Sequence, residues 1–216
     1  MHPLYAALVA AADGRFPPSD GAVEVCEPDD AGVVAVVEFA GHSFVLTSHD
    51  SVEVVARGAD GYGGATHPDL LRWLAGPTGT IGSHDAVLVR RGTGRPIGDA
   101  VGPGVFVERR DLEDHPRVRR ARDHRRDVRV FANEHGLITI GTGLVGRREV
   151  SVELFEPASA PRGAGGALIV EALGLVPEGE LLWAQVAPGN ASSLRAFLRC
   201  GFVPIGAEVL IGVESA

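Results

Sequence analysis

"PRGAGGALIV", residues 161–170, packs three glycines into four positions and then turns apolar. Glycine costs a helix interior about 1 kcal/mol per residue relative to alanine, so a cluster at a helix start calls for a reason. Without Cβ atoms the backbone there can be approached closely. The first amides of a helix have no partner within it, and the helix dipole places partial positive charge where they point. The stretch predicts a phosphate cradle at the start of a helix.

The flanking sequence says what kind of sheet carries this helix. Before it lie three runs rich in β-branched and aromatic residues: VRVFAN (128–133), LITIGTGL (137–144) and EVSVELF (149–155). Short turns join them, which predicts an antiparallel meander. In the third run Val150, Val152 and Leu154 face one way, and Glu149, Ser151, Glu153 and Phe155 the other. After the glycines the helix should run to about Leu175. LLWAQVA (181–187) reads as a strand and NASSLRAFLRCGF (190–202) as a second helix. In that helix Asn190 is the N-cap, Leu194, Phe197 and Leu198 the buried stripe, and Gly201 the stop. AEVLIGV (207–213) reads as a last strand. Strand, helix, strand implies a right-handed crossover and a parallel pair. The expected fold class is α/β with a mixed sheet.

Three glycine-rich readings compete for the phosphate. A P-loop needs a lysine after its glycines, and the chain has none: all 20 of its basic Lys/Arg side chains are arginine. A dinucleotide fingerprint needs a third glycine where Leu168 stands, and a parallel strand before it. The third reading fits. Arg162-Gly163-Ala164-Gly165-Gly166-Ala167 matches R-x-x-G-x-A, and N-x-x-S-L-x-x-F-x-x-x-G-F follows from Asn190. This resembles the coenzyme A pyrophosphate loop of GNAT-type N-acetyltransferases, with the order and spacing of that superfamily over residues 112–216. The resemblance implies a GNAT-like acyltransferase core at 111–216. An α/β region at 1–110 would then shape the acceptor site.

The resemblance also assigns roles. Acetyl-CoA would be held by Leu154, Phe155 and Glu156 at the strand end and by Arg162, Gly163, Ala164, Gly165, Gly166 and Ala167 on the loop. Asn190, Ser193 and Phe197 would meet it from the second helix. Its pantetheine arm would lie where strands 149–156 and 181–187 splay apart, bonded to the free backbone like an added strand. An amine would attack the thioester directly, with backbone amides near Leu154 and Phe155 stabilising the oxyanion. Glu153, and after it Glu149, are the candidate general bases. Many family members have tyrosine where this chain has Phe197, which leaves Ser193 or Cys200 to approach the sulfur. That departure supports a rival reading, an acyl-CoA-binding regulatory or interaction protein without catalysis.

The rest of the chain sets bounds. Twenty-eight acids against 20 arginines give a formal net charge of -8, which argues against nucleic acid or anionic membrane as a partner. A small-molecule or protein amine is the expected acceptor, and a homodimer is compatible with the family. Cys26 and Cys200 lack any metal or disulfide spacing, so no metal is expected. The N-terminal run MHPLYAALVAAADGRF reads as an amphipathic helix without a signal peptide's basic lead, so a cytoplasmic location is expected. GVVAVVEFAG and HSFVLT predict a hairpin through Ala40-Gly41, and HPDLLRWLAG a short helix. The Gly- and Pro-rich segment 92–104 reads as a linker. Ser-His-Asp occurs at 48–50 and 83–85, each expected as a turn entering a strand. A hydrolase built on them is disfavoured, because adjacent residues cannot converge on one another. Nine arginines and six acids alternate over 108–129, expected as a solvated helix laced with intrahelical ion pairs.

Overall fold

A computed structural model describes residues 1–94 and 105–212; most of the expected linker, 95–104, lies outside the described residues. The fold is mixed α/β, with ten strands and six α-helices among the described residues. Two compact units divide it: Met1–Val87 with Pro204–Ala216, and Leu88–Val203.

The first unit contains α1 (Pro3–Ala12), β1 (Val23–Cys26), β2 (Val34–Phe39), β3 (His42–Leu46), α2 (Ser51–Ala56), α3 (Pro68–Ala75) and most of β4 (Thr80–Arg91) and β10 (Val203–Gly212). Its strands lie in the order β1-β3-β2-β10-β4. The hairpin is as expected, with Phe39 opposite His42 and Gly41 at φ +79° in the two-residue turn. Val36, Val45, Leu70, Leu74 and Val209 are in its core. The first Ser-His-Asp does not enter a strand. Asp50 instead caps α2, accepting from the Val52 amide at 2.8 Å. The second lies within β4, a 12-residue strand longer than the expected one.

The second unit continues from the end of β4 through β5 (Val107–Glu108), α4 (Pro116–His124), β6 (Arg126–Ala132), β7 (Gly136–Thr142), β8 (Arg148–Leu154), α5 (Ala164–Gly174), β9 (Leu181–Val186) and α6 (Ala191–Arg199). Strand order is β4-β9-β8-β7-β6-β5. The meander is β6-β7-β8, antiparallel throughout, and β8 pairs with β9 in parallel. Apolar alternation divides the faces. Val150 packs with Ile138, Leu182, Ala184 and the apolar stripe of α5. On the other face Val118 of α4 packs with Val130, Ala132 and Leu137, and Phe155 joins them. Helix α4 spans only nine residues, much shorter than the expected charged helix.

Candidate functional site

Loop and helix meet as the glycines dictate. Gly163 caps α5 at φ +88°, a conformation that favours glycine, and its carbonyl accepts from Ala167 at 3.0 Å to close the first turn. The Ala164 amide is used by the Pro161 carbonyl at 3.0 Å. Gly165 and Gly166 occupy the next two positions, where amides have no partner inside the helix. Packing does not explain their lack of side chains. A Cβ on Gly163 would meet nothing within 4 Å, one on Gly165 only Leu154 Cδ1 at 3.9 Å, and one on Gly166 only Cys200 Sγ at 3.8 Å. By contrast, a Cβ on Gly143 would collide with the Glu149 carboxylate. Arg162 beside the loop is exposed and forms no ion pair among the described residues.

Leu154 leads from this cradle into a fork between two strands. The register of β8 on β9 consists of one pair, Glu149 opposite Trp183. Beyond it the strands run on without further pairing, β8 to Leu154 and β9 to Val186. Backbone groups alternate in direction along an antiparallel strand. Phe155 donates its amide to the His135 carbonyl at 3.0 Å, so Glu153 and Ser151 also bond toward β7. Val152 and Leu154 therefore turn their amides and carbonyls into the fork. This corrects one expectation: the Phe155 amide is engaged by the meander, and Leu154 alone of the two is directed at the splay. Both prongs end at helix N-termini, β8 through the loop to α5 and β9 through a short turn to α6. Ligands of α/β sheets sit at this carboxyl end of parallel strands.

No protein-family model matches the chain, and no curated protein matches it. Solved structures similar to it include a GCN5-related N-acetyltransferase from Kribbella flavida, at 16% identity and a TM-score of 0.40, covering 64% of this chain and 61% of that one. Another is a putative acetyltransferase of the GNAT family from Novosphingobium aromaticivorans, at 17% identity and a TM-score of 0.40, covering 65% and 69%. A third is a GCN5-related N-acetyltransferase from Sphaerobacter thermophilus, at 16% identity and a TM-score of 0.37, covering 60% and 51%. Likeness this distant assigns no activity.

Helix α6 places its residues unevenly. The Asn190 side chain accepts from the Ser193 amide at 3.1 Å, the N-cap expected of it. Phe197 is a core residue, packed edge-on against Phe202 with ring centroids 5.0 Å apart. Its ring is buried in that core and offers no polar atom. Leu198 is exposed, so the stripe is Leu194 and Phe197 without it. The Cys200 thiol donates to the Gly166 carbonyl at 3.6 Å, and burial pushes its pKa up. Glu156 begins the exposed loop, where its carbonyl accepts from Ser159 and Ala160.

The two candidate bases differ sharply. Glu149 is 3% exposed, with Oε1 bonded to Arg147 at 2.6 Å and to the Leu144 amide at 3.2 Å. Its Oε2 accepts from Arg125 at 2.9 Å. Burial alone would raise its pKa, but Arg147 and Arg125 overcome that and hold it below the usual carboxylate range. A carboxylate so buried and so fully engaged is a structural anion, which corrects its candidacy as a base. Glu153, two residues on, is half-buried and accepts from Arg117 Nε at 2.7 Å. It alone of the pair keeps solvent access beside the fork.

The partners of the arginines are not legible in their spacing. Among the described residues, six of the nine arginines over 108–129 are ion-paired, but not along one helix. Arg117 and Arg125 reach the sheet, Arg119 and Arg122 reach Asp114 and Glu113, Arg109 holds Asp111, and Arg129 holds Glu108. Asp111 is held at about 2 by Arg109. The available signal was Phe155, an apolar residue in line with Glu149, Ser151 and Glu153. It marks that face as covered, and covered acids need cations.

Neither Ser-His-Asp forms a catalytic constellation. His49 stacks on Trp73 with centroids 4.1 Å apart, and His84 pairs with Glu38 at 3.3 Å.

Proposed function

We propose that the chain is a GNAT-type N-acetyltransferase that binds acetyl-CoA at the loop and fork and passes the acetyl group to a primary amine. The observation that carries this reading is the clear space over Gly163, Gly165 and Gly166. Gly165 and Gly166 weaken the first turn of α5 without being needed for packing, Gly163 is required by its positive φ, and Leu154 joins the loop to the fork. A pyrophosphate on the α5 amides and an amide-bearing arm between β8 and β9 would account for both features. Arg162 would add a charge-assisted bond at the rim.

Bound acetyl-CoA supplies an activated carbonyl as a thioester. Leu154 would direct its amide at the carbonyl oxygen as negative charge develops there, stabilising it more in the transition state than before. Glu153 would take the proton of the attacking amine, directly or through one water, while Arg117 fixes the carboxylate's orientation. Phe197 has no proton to give, so the departing thiolate would be protonated by solvent. One observation favours a second reading, acyl-CoA binding without transfer: a core phenylalanine stands where a hydroxyl would serve the sulfur. Release of free thiol with a panel of amines separates the two.

The test of binding is melting temperature with and without acetyl-CoA, in the native chain and in an Arg162→Ala, Gly165→Glu variant. Ligand at 100 times its Kd adds about 2.7 kcal/mol, a rise of about 5–10 °C for a chain this size. A rise in the native chain and none in the variant supports the reading. No rise in a folded native chain removes it.

A further inference from the structure

Arg125 bridges the fork. The Glu149–Trp183 pair marks where β8 and β9 last meet, and two residues further along each strand stand Ser151 and Gln185. Had the ladder continued, these two would be opposite one another. Instead the Arg125 guanidinium stands between them. Its Nη1 donates to Ser151 Oγ at 3.3 Å and its Nη2 to Gln185 Oε1 at 3.2 Å. Its Nε donates to Glu149 Oε2 at 2.9 Å, at the root of the fork. The side chain is 10% exposed.

Two features of the backbone serve this placement. A bulge interrupts the β6–β7 register between Arg126 and Arg129, with Asp127 at φ +52°, immediately after Arg125. Bulges re-aim the chain beside them. Opposite, a Cβ on Gly141 of β7 would lie 2.9 Å from the Arg126 carbonyl oxygen and 3.2 Å from Arg125 Cβ. Glycine there lets the segment carrying Arg125 come close to the sheet.

We infer that Arg125 is a clasp that sets how far β8 and β9 diverge, and so positions the fork for the arm of acyl-CoA without touching it. This rests on the proposed acyl-CoA site. The guanidinium is planar with donors in fixed directions, so its three partners on two strands are held at set separations. The Glu149 anchor is itself fixed by Arg147 and by the Leu144 amide. Ser151 is held in turn by Thr139, oxygen to oxygen at 2.6 Å. Contacts from Glu149, Ser151 and Gln185 all approach on the face opposite Val150, Leu182 and Ala184, so the clasp closes one side of the fork and leaves the gap between the prongs clear.

Binding of two ligands tests this: acetyl-CoA, and the phosphorylated ADP half of coenzyme A, which lacks the pantetheine arm and would occupy the loop alone. Calorimetry compares the native chain with Arg125→Gln, Arg125→Lys and Gln185→Leu. The last removes only the β9 end of the clasp and keeps the Arg125–Glu149 pair, so it guards against a variant that fails to fold. Expected for Gln185→Leu and Arg125→Gln is a loss of about 10- to 100-fold in acetyl-CoA affinity with the ADP half unchanged. Arg125→Lys, which keeps charge without the planar geometry, should recover little. Equal affinities for acetyl-CoA across all variants, or equal losses for both ligands, would overturn the clasp while leaving the site. A native chain that binds neither ligand would overturn the site and the clasp with it.

Discussion

Glu149 stands opposite Trp183, and this one pair is the whole register between β8 and β9. After it the two strands run on unpaired, β8 to Leu154 and β9 to Val186. Backbone alternation then makes a prediction that needs no ligand. Amides of Val152 and Leu154 should exchange with solvent faster than those of Ser151 and Glu153, which bond toward β7. Residue-resolved hydrogen exchange reads this directly, and saturating acetyl-CoA should slow the first pair and leave the second alone. Equal protection of all four amides without ligand would mean that no fork exists in solution.

Two glycines should respond in opposite ways to the same change. Gly165→Ala adds a Cβ that meets only Leu154 Cδ1 at 3.9 Å, an ordinary contact, and improves helix propensity. Stability should rise by about 0.4–1 kcal/mol, or about 1–4 °C in melting temperature, while acetyl-CoA affinity falls. Gly143→Ala drives a methyl into the buried Glu149 carboxylate and should destabilise by about 1–3 kcal/mol. Calorimetric scans of both variants decide the signs.

Acid should attack the second unit through Glu149. A carboxyl whose folded pKa lies below its unfolded value binds fewer protons when folded. Its stabilising contribution is complete above the ordinary carboxylate range, near 4.5, and is lost as pH falls through the folded value. Glu149→Gln should remove that part of the acid dependence. It should also cost about 3–5 kcal/mol at neutral pH, because Arg147 and Arg125 are left buried without their anion. Denaturant titrations between pH 3 and pH 7, roughly spanning the carboxylate range, test both parts.

Glu153→Gln should separate chemistry from binding. If Glu153 takes the amine proton, kcat should fall by about 100-fold or more with the Kd for acetyl-CoA unchanged. An unchanged kcat would make it only the partner of Arg117.

What the sequence made legible was local. The Ala40-Gly41 hairpin, the β6-β7-β8 meander, the Asn190 cap and the opposed faces of β8 each depend on residues a few positions apart, and each stands in the structure as expected. The second unit's parallel pair followed from chain order. What the sequence hid was long-range and polar. Arg125 meets Gln185 across 60 positions, and nothing in the run of arginines distinguishes it from its neighbours. Glu149 and Glu153 alternate alike on one strand, yet one is sealed between two guanidiniums and the other is open to solvent. Ser48-His49-Asp50 was expected to enter a strand, but the Asp50 side chain bonds its own chain two residues on and starts α2 instead.

The fork has a cost for the protein when nothing fills it. Two facing rows of unmatched donors and acceptors are sheet edges turned inward, and an edge will accept any extended segment that reaches it. A stray peptide, or an unfolding neighbour of the same sequence, could insert where an acyl carrier's amides would lie. Occupancy would then protect the chain from aggregation as well as from heat, and preparations held with acetyl-CoA should stay monodisperse longer than those without.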